Sequence, residues 1–355
     1  MFGMKKLIIF LILLSFQAIT HAQITQSCLP EGITFNRQSQ IDSFPILYPN
    51  CTEIEGDVWI IPEWPDPSTN IKDLSSLIAV TSIGGDLHIY SNDSLEDLGG
   101  LDNLISIYGN CQITYNDTLS SLTGLDDLMY VGGYFDLGWN KKLLSITALG
   151  NLNYIVGDLN IYENDEILNL SGLESLTTLD GSLHIGHKTY SGNASLNSLS
   201  GLHNLDSVGG DLWIYGNDSL INLQGLNNLA YIGNGIWIAH NESLLDLSGL
   251  DSLTMIDADW GIQIEYNESL TSLSGLQGLS SFDENISIME NPSLLDLEGL
   301  NNLQYIGGEL QITINEKLAD ITALSKLKII DDKFEISGSD SLINLSGLSS
   351  LDTIG

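Results

Sequence analysis

Carboxylates are the most abundant groups in this chain that could do chemistry: 46 acidic against 11 basic residues give a formal net charge of −35. General acid/base work needs two carboxyl groups set in unlike surroundings. Here the acids recur at regular intervals instead. Asp93, Asp117, Asp165, Asp218, Glu242 and Glu268 each follow an asparagine. Repetition of this kind marks surface positions of a repeat rather than one reacting pair. Stacked at strand spacing, these acids would lie about 5 Å apart and would tolerate calcium. No calcium-loop consensus accompanies them, so solvated loop acids are the expectation and no cofactor is expected. His184 and His187 form the one compact histidine pair; on a strand they would face opposite ways, which favours ordinary surface histidines over a zinc site. With no G-x-S-x-G elbow, H-E-x-x-H helix or phosphate-cradling glycine loop, the chain is not expected to be an enzyme.

Three cysteines suggest one disulfide and one leftover thiol in an exported protein. Cys28 and Cys51 flank a stretch without repeats, and their pairing is expected. Cys111 occupies a position where other repeats carry an aliphatic residue, so it should be a buried free thiol. Export itself is expected from the first residues. Lys5 and Lys6 precede the apolar run Leu7–Leu14, and Thr20-His21-Ala22 resembles a cleavage site, giving a signal peptide over 1–22. The apolar run is too short for a comfortable membrane span. Cys28 lies six residues past Ala22, which disfavours a lipoprotein. An acidic surface repels nucleic acid and anionic membranes, leaving an extracellular glycan or protein as the expected partner.

The element that must carry these residues is a repeat of about 24 residues. Aligned triplets such as Leu87-His88-Ile89, Cys111-Gln112-Ile113 and Leu212-Trp213-Ile214 read apolar-x-apolar, the period of a strand with one buried face. Five residues after each triplet begins comes an asparagine, from Asn92 to Asn315, in steps of 24, 24, 24, 29, 24, 24, 26, 24 and 24. A recurrent asparagine can satisfy backbone groups of its own turn and of the next coil, and it tolerates left-handed backbone. Six of these asparagines also head N-x-S/T triplets, but an inward ladder residue could carry no glycan. The long steps predict insertions around His187–Ser191 and Ala258–Trp260. A second column, from Gly100 to Gly347 with alanine at 148 and 323, precedes a leucine in every coil. The two alanines suggest that lack of room, more than positive φ, selects small residues there. The pattern L-x-x-L-x-G-L-x-x-L-x-x-I between strands drifts off any helical stripe and predicts short strands and bends. The fold expected is therefore all-β: a parallel β-solenoid over 57–355, preceded by a disulfide-closed cap over 23–56. Val58-Trp59-Ile60 should form the first rung and Pro62–Pro67 an inserted loop. Leu351–Gly355 stops where other coils run on into a strand, so an open last coil with exposed leucines is expected.

The stretch Asn50-Cys51-Thr52-Glu53-Ile54-Glu55-Gly56-Asp57-Val58-Trp59-Ile60 resembles the opening of receptor L-domains, the leucine-rich β-helical ligand-binding domains of insulin and epidermal growth factor receptors. The regular coils and the Cys28-Leu29-Pro30-Glu31-Gly32-Ile33 start are more similar to secreted bacterial leucine-rich-repeat-like proteins. The resemblance implies a solenoid outside the cytoplasm. It implies no particular ligand, because the uniform coils depart from the receptors.

From His88 onward the outward x positions of the strands are polar, except for Trp213 and Trp237 on successive coils. With Tyr215 two residues beyond and Asp211 two before, they form the expected ligand-binding site, by stacking on sugar rings or packing a protein hot spot. The alternative for these rings is cross-strand pairing that only stabilises the sheet, or cover by the 187–191 loop. The expected function is a non-catalytic secreted or cell-surface interaction module. A ligand-free spacer, or an accessory domain of an enzyme, are the competing readings.

Overall fold

A computed structural model describes residues 26–63, 70–189, 191–257 and 260–355. The expected signal segment, most of the proline-rich loop and part of the second insertion lie outside the described residues. Thirteen strands form one parallel sheet in chain order, from Ile33–Phe35 to Phe334–Ser337. The register repeats without slip. Leu87 pairs with Cys111, Cys111 with Phe135 and Phe135 with Leu159, while Ile89, Ile113, Leu137 and Ile161 pair two residues on. The apolar-x-apolar triplets thus point their flanking residues into one continuous core, where, away from the two end coils, they and the leucines of the turns are buried. Each such side chain contributes roughly 1.5–3 kcal/mol, and none could be buried by a single coil.

The opposite wall is built from two-residue strands such as Ser106–Ile107, Tyr130–Val131 and Tyr154–Ile155. They gather into separate sheets of six, four and four strands, so this wall is segmented where the main sheet is continuous. Short strands and bends replace helix here, as the three-residue spacing predicts.

The asparagine column forms a ladder through the interior, each member fully buried. Asn116 donates Nδ2 to Ile89 O (3.0 Å) of the preceding coil, to Thr114 O (3.1 Å) and to Asn140 Oδ1 (3.1 Å), and its backbone N–H donates to that same oxygen (3.2 Å). Burial of the sequon asparagines closes them to glycans in the folded chain. One detail differs from expectation. Left-handed backbone falls on the residue before the asparagine, as at Tyr115 (φ 59°), His240 (57°) and Tyr266 (56°). The kink turns the asparagine inward while its predecessor faces solvent.

The glycine column also differs. Gly225 has φ +122°, and a Cβ there would lie 2.2 Å from Leu199 O of the coil before. Both positive φ and lack of room therefore act together. Where alanine stands the turn takes another form, the 3-10 helices Thr147–Leu149 and Thr322–Lys326, which the turn at Gly347 also takes (Ser346–Leu348).

At the N-terminal end, Ile33–Phe35 pairs with Val58–Ile60, so the first rung lies one coil earlier than the sequence predicts. The chain between them holds an α-helix, α1 (Gln38–Leu47), which buries Ile41 and Phe44. The Phe44 ring meets Phe35 edge-on at 5.7 Å, closing the end of the core. The Cys28–Cys51 disulfide joins the two sides of this cap, with Cα atoms 5.7 Å apart. At the other end, Phe334, Ile336, Leu342, Leu348 and Leu351 are only partly covered and Ile343 is 89% exposed.

Cys111 is a free, buried thiol whose pKa is pushed far up, first by burial and then by Asp136. Thiolate is the reactive form. The folded chain should therefore resist a thiol reagent at pH 8 and take up one equivalent after denaturation in urea. Rapid labelling of the native chain would contradict this burial.

Candidate functional site

The outward positions of the main sheet form a chain of side-chain contacts across consecutive coils. Trp59 stacks on His88 at 3.7 Å, and His88 Nδ1 lies 3.1 Å from Gln112 Oε1. Gln112 donates Nε2 to Asp136 Oδ2 at 3.1 Å. Asn160 Oδ1 lies 2.8 Å from His184 Nδ1, and the His184 ring stacks on Trp213 at 4.3 Å. Trp213 meets Trp237 edge-on at 5.3 Å. Register brings these rings together, since Trp213 pairs directly with Trp237 in the parallel ladder.

The expected site residues divide in two. Trp213, Trp237 and Tyr215 converge: Tyr215 packs edge-on to Trp237 at 5.2 Å, and Trp237 Nε1 donates to Glu265 Oε1 at 2.8 Å. The tryptophans are half-buried against one another, and Lys188 Nζ sits 5.3 Å above the Trp213 ring. The 187–189 segment thus reaches the sheet face. Asp211 is otherwise engaged. Its Oδ1 accepts from Trp260 Nε1 (3.0 Å) and Gly235 N–H (3.2 Å), so it fastens the second insertion to the turn. Asp211 thus has a structural partner within the fold as well as its place beside the tryptophans. Trp213 Nε1 and His184 Nε2 are buried without a hydrogen-bond partner among the described residues.

Burial is the first cause that lowers the pKa of His184, and likewise of His187. It also raises that of Asp136. His184 belongs to the sheet face rather than to open surface, and His187 lies against Tyr162 at 5.6 Å. Among the described residues, no three histidine, cysteine or acidic side chains are grouped to hold a metal ion.

Beside the tryptophans, at the corner where the strands end, lies a groove of about 570 Å³. Tyr215, His240 and Tyr266 form its aromatic wall, with ring centroids 4.9 and 4.7 Å apart; the last pair is nearly parallel at 8°. Asp218, Glu242, Glu268 and Glu316, each just after a ladder asparagine, form the other wall, and Glu290 lines the groove from the column of His240 and Tyr266. Burial, followed by Glu242, raises the pKa of Asp218, against a smaller opposing effect of His240. The Tyr266 pKa is raised by its hydrogen bond to Glu290. Tyr215 belongs both to the groove and to the tryptophan cluster, making one continuous surface. The carboxylate wall was visible in the sequence as a repeating acid; the aromatic wall was not.

No protein-family model matches the chain, and no curated protein matches it significantly.

Proposed function

We propose that this chain is a non-catalytic interaction module of the cell exterior, which holds a protein or glycan ligand on the main-sheet face and the adjoining corner groove. The observation that carries this reading is the convergence of Trp213, Trp237 and Tyr215 beside a concave groove. Half-buried aromatic rings at the edge of a depression offer broad contact area at little conformational cost. The sheet beneath is rigid, because every strand is bonded to both neighbours except at its two ends. Location outside the cytoplasm is supported by the Cys28–Cys51 disulfide, by the signal-like start and by the likeness of Asn50–Ile60 to the opening of receptor L-domains. Among the described residues no helix is long and apolar enough to cross a membrane.

Replacing Trp213 and Trp237 together with serine tests the reading on a glycan array and on intact cells. Hot-spot aromatics each contribute about 2 kcal/mol or more, so binding should weaken at least tenfold while circular dichroism stays unchanged. Unchanged binding by a folded double variant would remove this face from the function and leave the rings a purely structural role.

A further inference from the structure

We propose that the corner groove takes a cationic ligand, an extended lysine- or arginine-bearing segment of a protein partner. This rests on the groove being part of the binding face and adds the chemical class of what enters it.

The shape and both walls point the same way. The acidic wall runs along the solenoid axis from Asp218 to Glu316, interrupted only by Pro292. Among the described residues no lysine or arginine lines the groove, and the ion pairs, such as Arg37–Glu63 and Lys333–Glu309, involve other carboxylates. Like charges at coil spacing therefore repel one another until a cation arrives. The response of Asp218 to Glu242 is one sign of that field. The aromatic wall suits the same guest, because the face of a tyrosine ring such as Tyr215 or Tyr266 attracts ammonium and guanidinium groups. The protein already uses this contact next door, where Lys188 Nζ lies over Trp213.

The dimensions select a chain over a point charge. Asp218 to Glu316 is four coil steps, about 19 Å at the spacing of parallel strands. An extended peptide of about six residues spans that distance. A single metal ion could meet only a fraction of these acids, and no metal-sized cluster is present among the described residues. Each exposed ion contact is weak and screened by salt, so affinity must come from several contacts at once.

The test uses the full chain and a fluorescent eight-residue peptide alternating arginine with serine, with a glutamine–serine peptide as the neutral comparison. Binding of the arginine peptide is expected to weaken at least tenfold in a variant carrying Asp218→Asn, Glu242→Gln, Glu268→Gln and Glu316→Gln. A variant of equal net charge, with Glu31→Gln, Asp127→Asn, Asp283→Asn and Asp332→Asn outside the groove, should stay within twofold of the parent. His240→Ser with Tyr266→Ser should weaken binding two- to fivefold without changing net charge. Equal loss in both charge variants would overturn the proposal, since net charge alone would then explain attraction. Displacement of the peptide by spermine or calcium chloride at equal or lower concentration would overturn the choice of a peptide. If the groove variants bind like the parent while the Trp213 and Trp237 double variant still loses its ligand, the cationic assignment falls and the binding face stands.

Discussion

An Asn217→Leu variant is expected to lose about 3–9 kcal/mol of stability in urea melts. The estimate follows from what the amide holds. Nδ2 of Asn217 donates to Ile185 O (2.9 Å) and Tyr215 O (3.1 Å), and Oδ1 accepts from the backbone N–H of Asn193 (3.0 Å). Leucine fills a similar volume but pairs with none of these groups. Three backbone groups then lose partners inside the protein, each at about 1–3 kcal/mol. Coils touch only their neighbours, so the fault should also divide one unfolding transition into two. A loss below about 1 kcal/mol would mean that the ladder merely fills space.

Gly225→Ala and Gly225→Val should form a graded pair, costing about 2–4 kcal/mol for alanine and more for valine. At φ +122° any side chain is strained, and its first carbon would lie 2.2 Å from Leu199 O. Backbone strain and overpacking each contribute about 1–3 kcal/mol. The coils with Ala148 and Ala323 suggest the route of partial relief, conversion of the turn to 3-10 helix. Valine has no such outlet of equal quality, because branching at Cβ crowds the preceding turn. Hydrogen exchange should show faster opening confined to the coil of residue 225 and its neighbours. Wild-type stability in the alanine variant would show that the turn form is chosen elsewhere.

The repeat itself was legible because three independent columns share one period. Alternation around His88 or Gln112, asparagines at fixed offsets and a small residue before leucine cannot all be satisfied by another fold. The features missed are those outside such columns. α1 offers only Ile41 and Phe44 to the core and carries Pro45 in its last turn, so no strong helical stripe announces it. Ile33–Phe35 was hidden because the helix intervenes before its partner strand. The bond between Asp211 and Trp260 was not legible because the two lie 49 residues apart, Trp260 on an insertion that no alignment of coils includes. The aromatic wall of the groove escaped for a different reason. Its column holds Ser91, Tyr115, Trp139, Glu163, His240, Tyr266, Glu290 and Ile314, which share a left-handed backbone but not a residue type. Conformation is periodic there while chemistry varies, so a search by residue identity passes over it.

The two insertions leave the ladder intact, for Asn164 N–H still reaches Asn193 Oδ1 at 3.2 Å across a 29-residue step, and Asn241 N–H reaches Asn267 Oδ1 at 3.1 Å across 26. Between the end members, each amide oxygen receives from the asparagine of the coil before and each backbone N–H gives to the amide oxygen of the coil after, so the ladder keeps one direction through the core. Its phase is counted in coils and is indifferent to how much chain is spent between them. Gene segments encoding one whole coil could be copied or lost, and loops could lengthen at the corners, with every buried amide still finding a neighbour. Such a scaffold separates inheritance of the frame from variation of its rim: new recognition can arise by editing corners, while the interior goes on repeating one unchanging handshake.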